Sequence, residues 1–214
     1  MSESVEHQEK IDNNNEQKKS ELDEQFVFLI KRIKKVRGSR IEASKRLRKK
    51  HNYLEKVSYF YSLILLILSV WYLNQDGGLE ETSTKMLLIL SLSLTFFTMF
   101  LNIKNYKERA GNFESNFQQL DVLLNKMDRD KINNKINVDM LKQYHREYEK
   151  MIIGKENHLN IDYYNSSEKR KILHIKEILN YRIKEIIVNV LIAIYPIVLF
   201  IIILLYERVL NLFN

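Results

Sequence analysis

Two hydrophobic runs without a charged residue, 57–75 and 86–103, constrain this chain more than any other feature of its sequence. They hold 19 and 18 residues, and the hydrocarbon core of a bilayer takes about 20 helical residues. A third uncharged run, 186–206, is longer still. Because lipid offers no partner for backbone amides, each run must be helical. The sequence therefore predicts an all-α membrane protein: a transmembrane helical hairpin with long cytoplasmic helical extensions, plus a third, C-terminal transmembrane helix.

The charges around these runs predict the orientation of the chain. Residues 31–56 carry twelve lysines and arginines against two glutamates, whereas the loop between the runs, 74–85, holds three acids and one lysine. By the positive-inside rule the N-terminus is cytoplasmic and the protein crosses the membrane more than once. Topology and binding to anionic lipid are sufficient to explain the basic block. A nucleotide messenger or nucleic acid would use the same charges, but the block has few aromatic residues and no glycine-rich phosphate loop. The lipid bilayer is the expected partner, and nucleic acid is not.

Composition divides the remaining chain into segments. The first 25 residues are acidic and nearly free of large apolar side chains, so we expect a disordered tail. In the basic arm that follows, residues 26–36 are predicted to form an amphipathic helix that ends near Gly38 and lies either on anionic lipid or against other cytoplasmic helices. The predicted order is an acidic tail 1–25, a basic cytoplasmic helical arm 26–56, the hairpin 57–103, a cytoplasmic helical bundle 104–185, the third span 186–206 and a short tail 207–214.

Apolar spacing predicts the cytoplasmic helices after the hairpin. Apolar residues recur at steps of four and three from Tyr106 to Met127, a heptad seam typical of a coiled coil. With no proline in this seam or in the second run, one continuous helix is predicted to cover both. The polar segment 128–137 interrupts the pattern, and a further helix then runs from about 138 to 153 and ends at Gly154. A last long helix leads into the third span.

Polar side chains form a stripe on each hairpin helix. On the second run they recur at i, i+4, i+7 and i+11, and three serines share a face of the first run. Several copies of the chain around an axis could turn these stripes into a hydroxyl-lined pore. Alternatively, such residues support close helix packing or bond their own backbone. The candidate pore-lining or helix-packing residues are Ser91, Thr95, Thr98 and Asn102 on the second run, and Ser58, Ser62 and Ser69 on the first.

A group of polar residues near the end of the cytoplasmic segment, Glu156, Asn157, His158 and Asp162, invites a metal-binding or acid–base interpretation. No second histidine and no glycine-rich pocket accompanies it, so we favour a structural role at a chain reversal or a regulatory role at a hinge or protomer contact. The chain has no cysteine, which excludes thiol nucleophiles and cysteine-ligated metals. No enzymatic activity, cofactor or metal site is predicted.

Several of these segments together resemble the SLATT family of two-transmembrane effector domains, most closely its fifth subfamily. The resemblance covers roughly residues 38–166 and rests on four elements in order: RIEASKRL at 40–47, NYKERA at 105–110 directly after the second run, the pair Tyr144 and Tyr148, and ENH at 156–158 followed by DYY at 162–164. The motif residues to which we assign structural or regulatory roles are Arg40, Arg46, Lys107, Glu108, Arg109, Glu156, Asn157, His158, Asp162 and Tyr163.

This resemblance implies a membrane effector of a bacterial anti-phage or conflict system. Such an effector is expected to oligomerise into a pore that depolarises the inner membrane when an upstream sensor, such as a nucleotide second-messenger system, signals infection. The alternative is a non-conducting anchor or scaffold that uses its heptad seam to recruit a cytoplasmic partner. The third span departs from the two-span description of the family, so the resemblance implies no role for it.

Overall fold

The computed structural model of the chain describes residues 2–73, 80–133 and 135–213, and the regular structure within these ranges is entirely α-helical. The all-α prediction is confirmed. The helices, in chain order, are α1 (Ser2–Leu73), α2 (Glu80–Lys104), α3 (Tyr106–Ile132), α4 (Val138–Ile152), α5 (Asn160–Asn165), α6 (Glu168–Leu173) and α7 (Ile175–Phe213).

Contacts divide the chain into two compact units. Unit 1 comprises Met1–Ser44 and Gly111–Leu173, and unit 2 comprises Lys45–Ala110 and His174–Asn214. The predicted division placed the whole arm 26–56 in one segment and the whole of 104–185 in another. The unit boundaries differ because the first part of the arm packs with the later cytoplasmic helices, while its second part packs with the apolar runs.

A core of tightly packed apolar side chains holds unit 1 together. Its members recur at helical spacing on one face each of α1, α3 and α4, so each helix buries a single stripe. The rings of Phe26 and Tyr144 meet edge to face with centroids 6.2 Å apart. The buried residues are Phe26, Leu29 and Ile33 from α1, Leu120, Leu123, Leu124 and Met127 from α3, and Leu141, Tyr144 and Tyr148 from α4.

This core decides between two sequence interpretations. The amphipathic segment 26–36 packs against other cytoplasmic helices, because its apolar face is fully buried in unit 1. The predicted helix at 138–153 is confirmed as α4, and Gly154, whose φ is +71°, follows it in the left-handed conformation that glycine tolerates best. The C-terminal part of the heptad seam, including Leu120 and Met127, is likewise buried within this chain.

Helix α1 differs from the prediction at two places, its N-terminus and Gly38. It begins at Ser2, where composition predicts a disordered tail through residue 25. Leu22 already packs against the core of unit 1, so helical structure can propagate backward from a buried segment, because extending a formed helix costs less than starting one. It also continues past Gly38, which we expected near a helix end. There the glycine serves close packing, since a Cβ at this position would lie 3.2 Å from the Cβ of Ser166.

The predicted continuous helix from the second run into the heptad seam is wrong at one residue. Asn105 separates α2 from α3 and has φ of +47°, the left-handed region that asparagine enters more readily than most residues. Its backbone N–H reaches the carbonyls of Leu101 and Asn102, both at 3.2 Å, and its side-chain amide donates to the carboxylate of Glu108. The long C-terminal helix is similarly interrupted at His174, between α6 and α7.

In unit 2 the helices leave most of their large apolar side chains exposed. Two described helical stretches, Lys18–Trp71 and Thr84–Ile132, are long and apolar enough to cross a membrane. Only 17% and 11% of their most apolar windows are buried, far less than for a core helix of a water-soluble protein. This exposure suits helices that face lipid and supports the predicted hairpin. The predicted third span lies within α7, but its side chains at 199–200, 203–204 and 206 are outside the described residues.

Candidate functional site

The three predicted membrane helices surround an apolar cavity of about 450 Å³ in unit 2. Pro196 lies among its lining residues; because proline lacks an N–H, the carbonyl of Ile192 one turn earlier loses its usual donor. The cavity is lined by Val57, Tyr61, Ile64, Leu65 and Leu68 of α1, Leu90, Ser93, Leu94 and Phe97 of α2, and Leu191, Ile192, Tyr195, Pro196 and Ile197 of α7.

Two tyrosines tie α7 to α1. The Tyr53 hydroxyl donates to the carbonyl oxygen of Asn189 at 2.9 Å, and the Tyr61 hydroxyl donates to the carbonyl oxygen of Ala193. The two acceptors lie one helical turn apart, so both bonds reach the same face of α7. Sequence reasoning missed this contact. The only signal for it was the pair of tyrosines eight residues apart, a spacing that places both on one side of α1.

The hydroxyl stripe of α2 lies beside the packed face of that helix. Met86 and Leu90 are buried and Leu94 and Phe97 line the cavity, whereas the stripe residues each follow this face by one position, about 100° around the helix. Ser91, Thr95 and Asn102 are exposed within the chain, and Thr98 is half-buried. Three of the four stripe residues are therefore not used to pack unit 2.

The stripe hydroxyls donate hydrogen bonds to backbone carbonyls of their own helices. Ser91 donates to the carbonyl of Leu88, Thr95 to that of Ser91 and Thr98 to that of Thr95, each at 2.9 Å. On α1, Ser62 donates to the carbonyl of Ser58 at 3.0 Å; Ser58 is buried, while Ser62 and Ser69 are exposed. Such bonds let hydroxyls lie in an apolar environment without an unpaired donor, and leave each oxygen able to accept a further bond.

A second candidate site lies in unit 1 around the short helix α5. We call it the α5 cluster, and its residues come from α1, the segment before α5, α5 itself, and the turn and helix that follow. They are Lys35, Arg40, His158, Asp162, Tyr163, Ser166 and Arg170.

Cations and hydrogen bonds converge on Tyr163 in this cluster. The ammonium of Lys35 lies 4.5 Å from the centre of the Tyr163 ring, and the guanidinium carbon of Arg170 lies 4.3 Å from it. Arg170 also donates through Nη1 to the hydroxyl of Ser166 at 2.5 Å and to the carbonyl of Tyr163 at 3.3 Å. These contacts hold α6 against α5.

Asp162 has the structural role that its position at a chain reversal predicts. Its side chain is 1% exposed, and its carboxylate accepts the backbone N–H of Leu159 at 2.9 Å, at the first turn of α5. This is the carboxylate half of a capping box, with leucine where a serine or threonine usually stands. Glu156 and Asn157, by contrast, are exposed.

Arg40 and His158 are far apart in the sequence but close enough in the fold for the charge of Arg40 to act on His158. Arg40 is only 3% exposed, its Nε has no hydrogen-bond partner, and burial lowers the pKa of its guanidinium. Burial likewise lowers the pKa of His158; Arg40 and Lys35 lower it further, and Asp162 opposes them. Sequence reasoning listed both residues as family motif positions but gave no reason for them to meet.

The motif residues Arg46, Lys107, Glu108 and Arg109 belong to unit 2. Lys107 and Glu108 are exposed at the start of α3, and Arg109 lies with its guanidinium carbon 5.9 Å from the ring centre of Tyr106, which Lys50 of α1 approaches at 5.3 Å. Arg46 belongs to α1 within the same unit. Across the described residues, no group of three or more His, Asp or Glu side chains is arranged to hold a metal ion.

A chain with two long apolar helices, an exposed hydroxyl stripe and a helical unit rich in paired polar groups belongs to the class of α-helical membrane proteins. The model of the SMODS and SLOG-associating 2TM effector domain family 5 matches residues 22–206, and the chain belongs to this family. The match extends well beyond residues 38–166, where the recognisable motifs lie, and it includes the whole of the predicted third span, 186–206. Neither the comparison with curated proteins nor that with solved structures gives a match.

Proposed function

We propose that this effector oligomerises in the bacterial inner membrane and forms a pore that depolarises the cell when an upstream signal reaches it. In this proposal the N-terminus is cytoplasmic, the chain crosses the membrane more than once, and no catalysis is involved. The single observation that carries the proposal is the α2 stripe: polar side chains that the chain leaves exposed on a membrane helix instead of packing them against α1 or α7.

Lining a water path is the use that best explains this placement. A membrane helix that faces only lipid gains nothing from a continuous polar stripe, whereas a ring of such stripes supplies oxygens that can replace part of the hydration of an ion. The back-bonds of Thr95 and Thr98 lower the cost of keeping the stripe in lipid before assembly. The effector is thus stable as a single copy in lipid and conducting as a ring.

The scaffold alternative relied on the heptad seam as a surface for a partner. Ala110, Phe113, Leu120, Leu124 and Met127 of that seam are each at most 6% exposed. A partner would therefore need another surface of the chain, and we propose the pore in preference to the scaffold.

The direct test is induced expression of the chain, alone and with its upstream system, in bacteria loaded with a voltage-sensitive dye. We expect loss of membrane potential and arrest of growth. An inserted and triggered protein that leaves the dye signal unchanged would refute pore formation; capture of a cytoplasmic partner together with an absence of ion flux in liposomes would support the scaffold.

The role of the stripe is tested by replacing Ser91, Thr95 and Thr98 together with leucine, and in a second variant by Ser91→Ala with Thr95→Val and Thr98→Val, which keep the shape and remove the hydroxyls. We expect both variants to insert and to lose conductance in liposomes. The matched control replaces the exposed apolar residues Phe96 and Met99 with leucine and should conduct normally. Unchanged conductance in both stripe variants would remove the stripe from the mechanism.

A further inference from the structure

One face of α7 carries a straight line of exposed apolar residues. From Ile175 to Leu205 they recur at steps of four, four and three residues. The resulting period of 11 residues is close to three turns of an α-helix, so the line runs almost parallel to the helix axis. Its members, each between 44% and 64% exposed, form what we call the α7 stripe: Ile175, Leu179, Ile183, Ile186, Val190, Ile194, Ile197, Ile201 and Leu205.

We propose that the α7 stripe is an interaction surface whose partner is α7 of a second copy of this chain, packed parallel and in register. The proposal gives the third predicted span a role in association. It rests on the oligomerisation included in the proposed function, but it does not depend on conduction or on the hydroxyl stripe of α2.

The α7 stripe is distinct from the face of α7 that packs within the chain. On one side of this helix Ile178 is buried, and Asn189 and Pro196 are half-buried. The α7 stripe is centred about a third of a turn away from them. One of its residues, Ile197, also borders the apolar cavity. Packing inside unit 2 thus leaves most of the α7 stripe uncovered.

Lipid cannot cover the first part of the α7 stripe. The uncharged run begins at residue 186, and Ile175 lies 11 residues before it, or about 16 Å along the helix. The headgroup region adds only about 5–7 Å on each side of the hydrocarbon core. Ile175 and Leu179 therefore face water, on a segment that also carries Lys176 and Glu177. Apolar residues aligned on a water-facing helix indicate a contact surface.

The unbroken period of the α7 stripe indicates which partner fits it. Lipid would cover only the membrane part, and a water-soluble protein only the part before it. A partner for the whole length is a helix that passes from water into lipid at the same level as α7. A second copy of α7, inserted in the same orientation, meets this condition, because each residue of the α7 stripe then lies at the height of its own counterpart. Such self-complementary contact is the usual form of symmetric association.

The side chains of the α7 stripe suit tight packing between helices. Seven of the nine are isoleucine or valine, which have essentially one χ1 rotamer in a helix and lose little entropy on contact. In lipid, helix association depends on such close packing, because no hydrophobic driving force acts there. The water-facing part supplies that force, and a period of 11 residues predicts a right-handed supercoil for the pair.

Disulfide crosslinking tests the contact directly, since the native chain has no cysteine. On the α7 stripe, Leu179→Cys and Ile183→Cys each place one thiol. The matched controls, Asn180→Cys and Lys184→Cys, place it on exposed positions about 100° further around the helix. The purified full-length variants are reconstituted in liposomes and oxidised. We expect covalent dimers from both stripe variants and about fivefold less dimer from the controls, because a disulfide forms only where the Cα atoms come within about 7 Å.

The yields have distinct meanings. Equal dimer from all four variants would indicate random collision in the bilayer, and an absence of dimer would indicate that another part of the chain, or another protein, covers the α7 stripe; either result overturns the proposal. Ion flux is measured in the same liposomes. Dimers without flux would support the interface and count against the pore, whereas flux without dimers would overturn the interface and leave the pore intact.

The double variant Leu179→Gln with Ile183→Gln measures what the water-facing part contributes. Energy transfer between labelled copies in liposomes should show self-association weakened by about tenfold or more, since two apolar contacts are lost. The matched control Leu173→Gln changes an exposed leucine of α6 outside the α7 stripe and should associate as the native chain does. Both replaced residues of the double variant are exposed, so it should keep the native helicity, which circular dichroism checks. Unchanged association in the double variant would overturn the proposal.

Discussion

Units 1 and 2 use the same secondary structure for different solvents. Unit 1 has a closed apolar core, in which Leu29, Leu120 and Tyr144 are 0% exposed. In unit 2, Leu88 of α2 is 62% exposed and Trp71 of α1 is 66% exposed. Burial away from water stabilises unit 1 in the usual way, whereas the apolar surface of unit 2 needs lipid around it. The comparison teaches that the apolar runs of unit 2 have the exposure expected of helices that face lipid, and not that of helices packed in a closed core.

Polar groups follow the same division. In unit 1 they pair between helices: Lys126 of α3 donates to Glu147 of α4 at 2.8 Å, which lowers the pKa of that carboxyl, and the amide of Asn116 donates to the carbonyl of Met151 at 2.6 Å. In unit 2 the hydroxyls of α2 bond within their own helix. Hydrogen bonds between helices of unit 2 come from Tyr53 and Tyr61, which join α1 to α7.

The largest expected effect comes from truncating one leucine in each unit. Leu120→Ala should destabilise unit 1 by about 2–5 kcal/mol, because it leaves a cavity in a closed core. Leu88→Ala removes a side chain that contacts no core and should change the stability of unit 2 by about 0.5 kcal/mol or less. Hydrogen–deuterium exchange of the α3 and α4 amides, compared with the α2 amides in nanodiscs, measures both. Equal losses of protection would break the comparison.

Removing a tyrosine hydroxyl in each unit should have a smaller effect. Tyr144 donates to the carboxylate of Asp130, and burial together with that bond raises the pKa of the phenol. Tyr144→Phe should therefore cost about 1.5–3 kcal/mol, the range for hydrogen bonds to charged groups. Tyr61→Phe, which loses a bond between membrane helices, should cost about 0.6 kcal/mol. Chemical unfolding in micelles measures both losses; a larger loss for Tyr61→Phe would mean that α7 depends on the tyrosine bonds more than on lipid.

Replacing either of two glycines of unit 1 with alanine should change its stability by less than Tyr144→Phe does, and the pair tests how closely α1 packs. Alanine is favoured over glycine inside a helix by about 0.5–1 kcal/mol. Gly111 has no atom within 4 Å of an added Cβ, so Gly111→Ala should gain this stability. Gly38→Ala should gain less or lose, because its Cβ would lie 3.2 Å from that of Ser166. Melting temperatures decide the order, and an equal gain in both would show that α1 and the turn after α5 are not held close together.

How much of this the sequence predicts depends on whether a feature is local. Two helices apolar enough to span a membrane, the apolar face of α4 and the turn at Gly154 follow from composition and spacing, and the structure has them. The role of Gly38 depends on Ser166, more than a hundred residues away, and the meeting of Arg40 with His158 depends on how three helices pack. Spacing along one helix carries no information about either. Asn105 lies between these cases, since an asparagine in a helical pattern permits the left-handed conformation without requiring it.

The smallest expected effect is a pH dependence confined to unit 1. The pKa of His158 is lowered from its ordinary value of about 6.5, so the folded unit binds fewer protons than the unfolded chain does. The stability this provides is fully present above about pH 6.5 and is lost as the pH falls through the lowered pKa. The carboxyl of Glu147, whose own pKa is lowered, affects stability only below about pH 4.5, so the two pH ranges do not overlap.

Exchange protection of the α4 amides should therefore fall between pH 7.5 and pH 5 in the native chain and in the control His145→Gln, but not in His158→Gln. The α2 amides of unit 2 should show no such loss, and a parallel loss there would mean that protonation acts on the whole molecule and not on the α5 cluster.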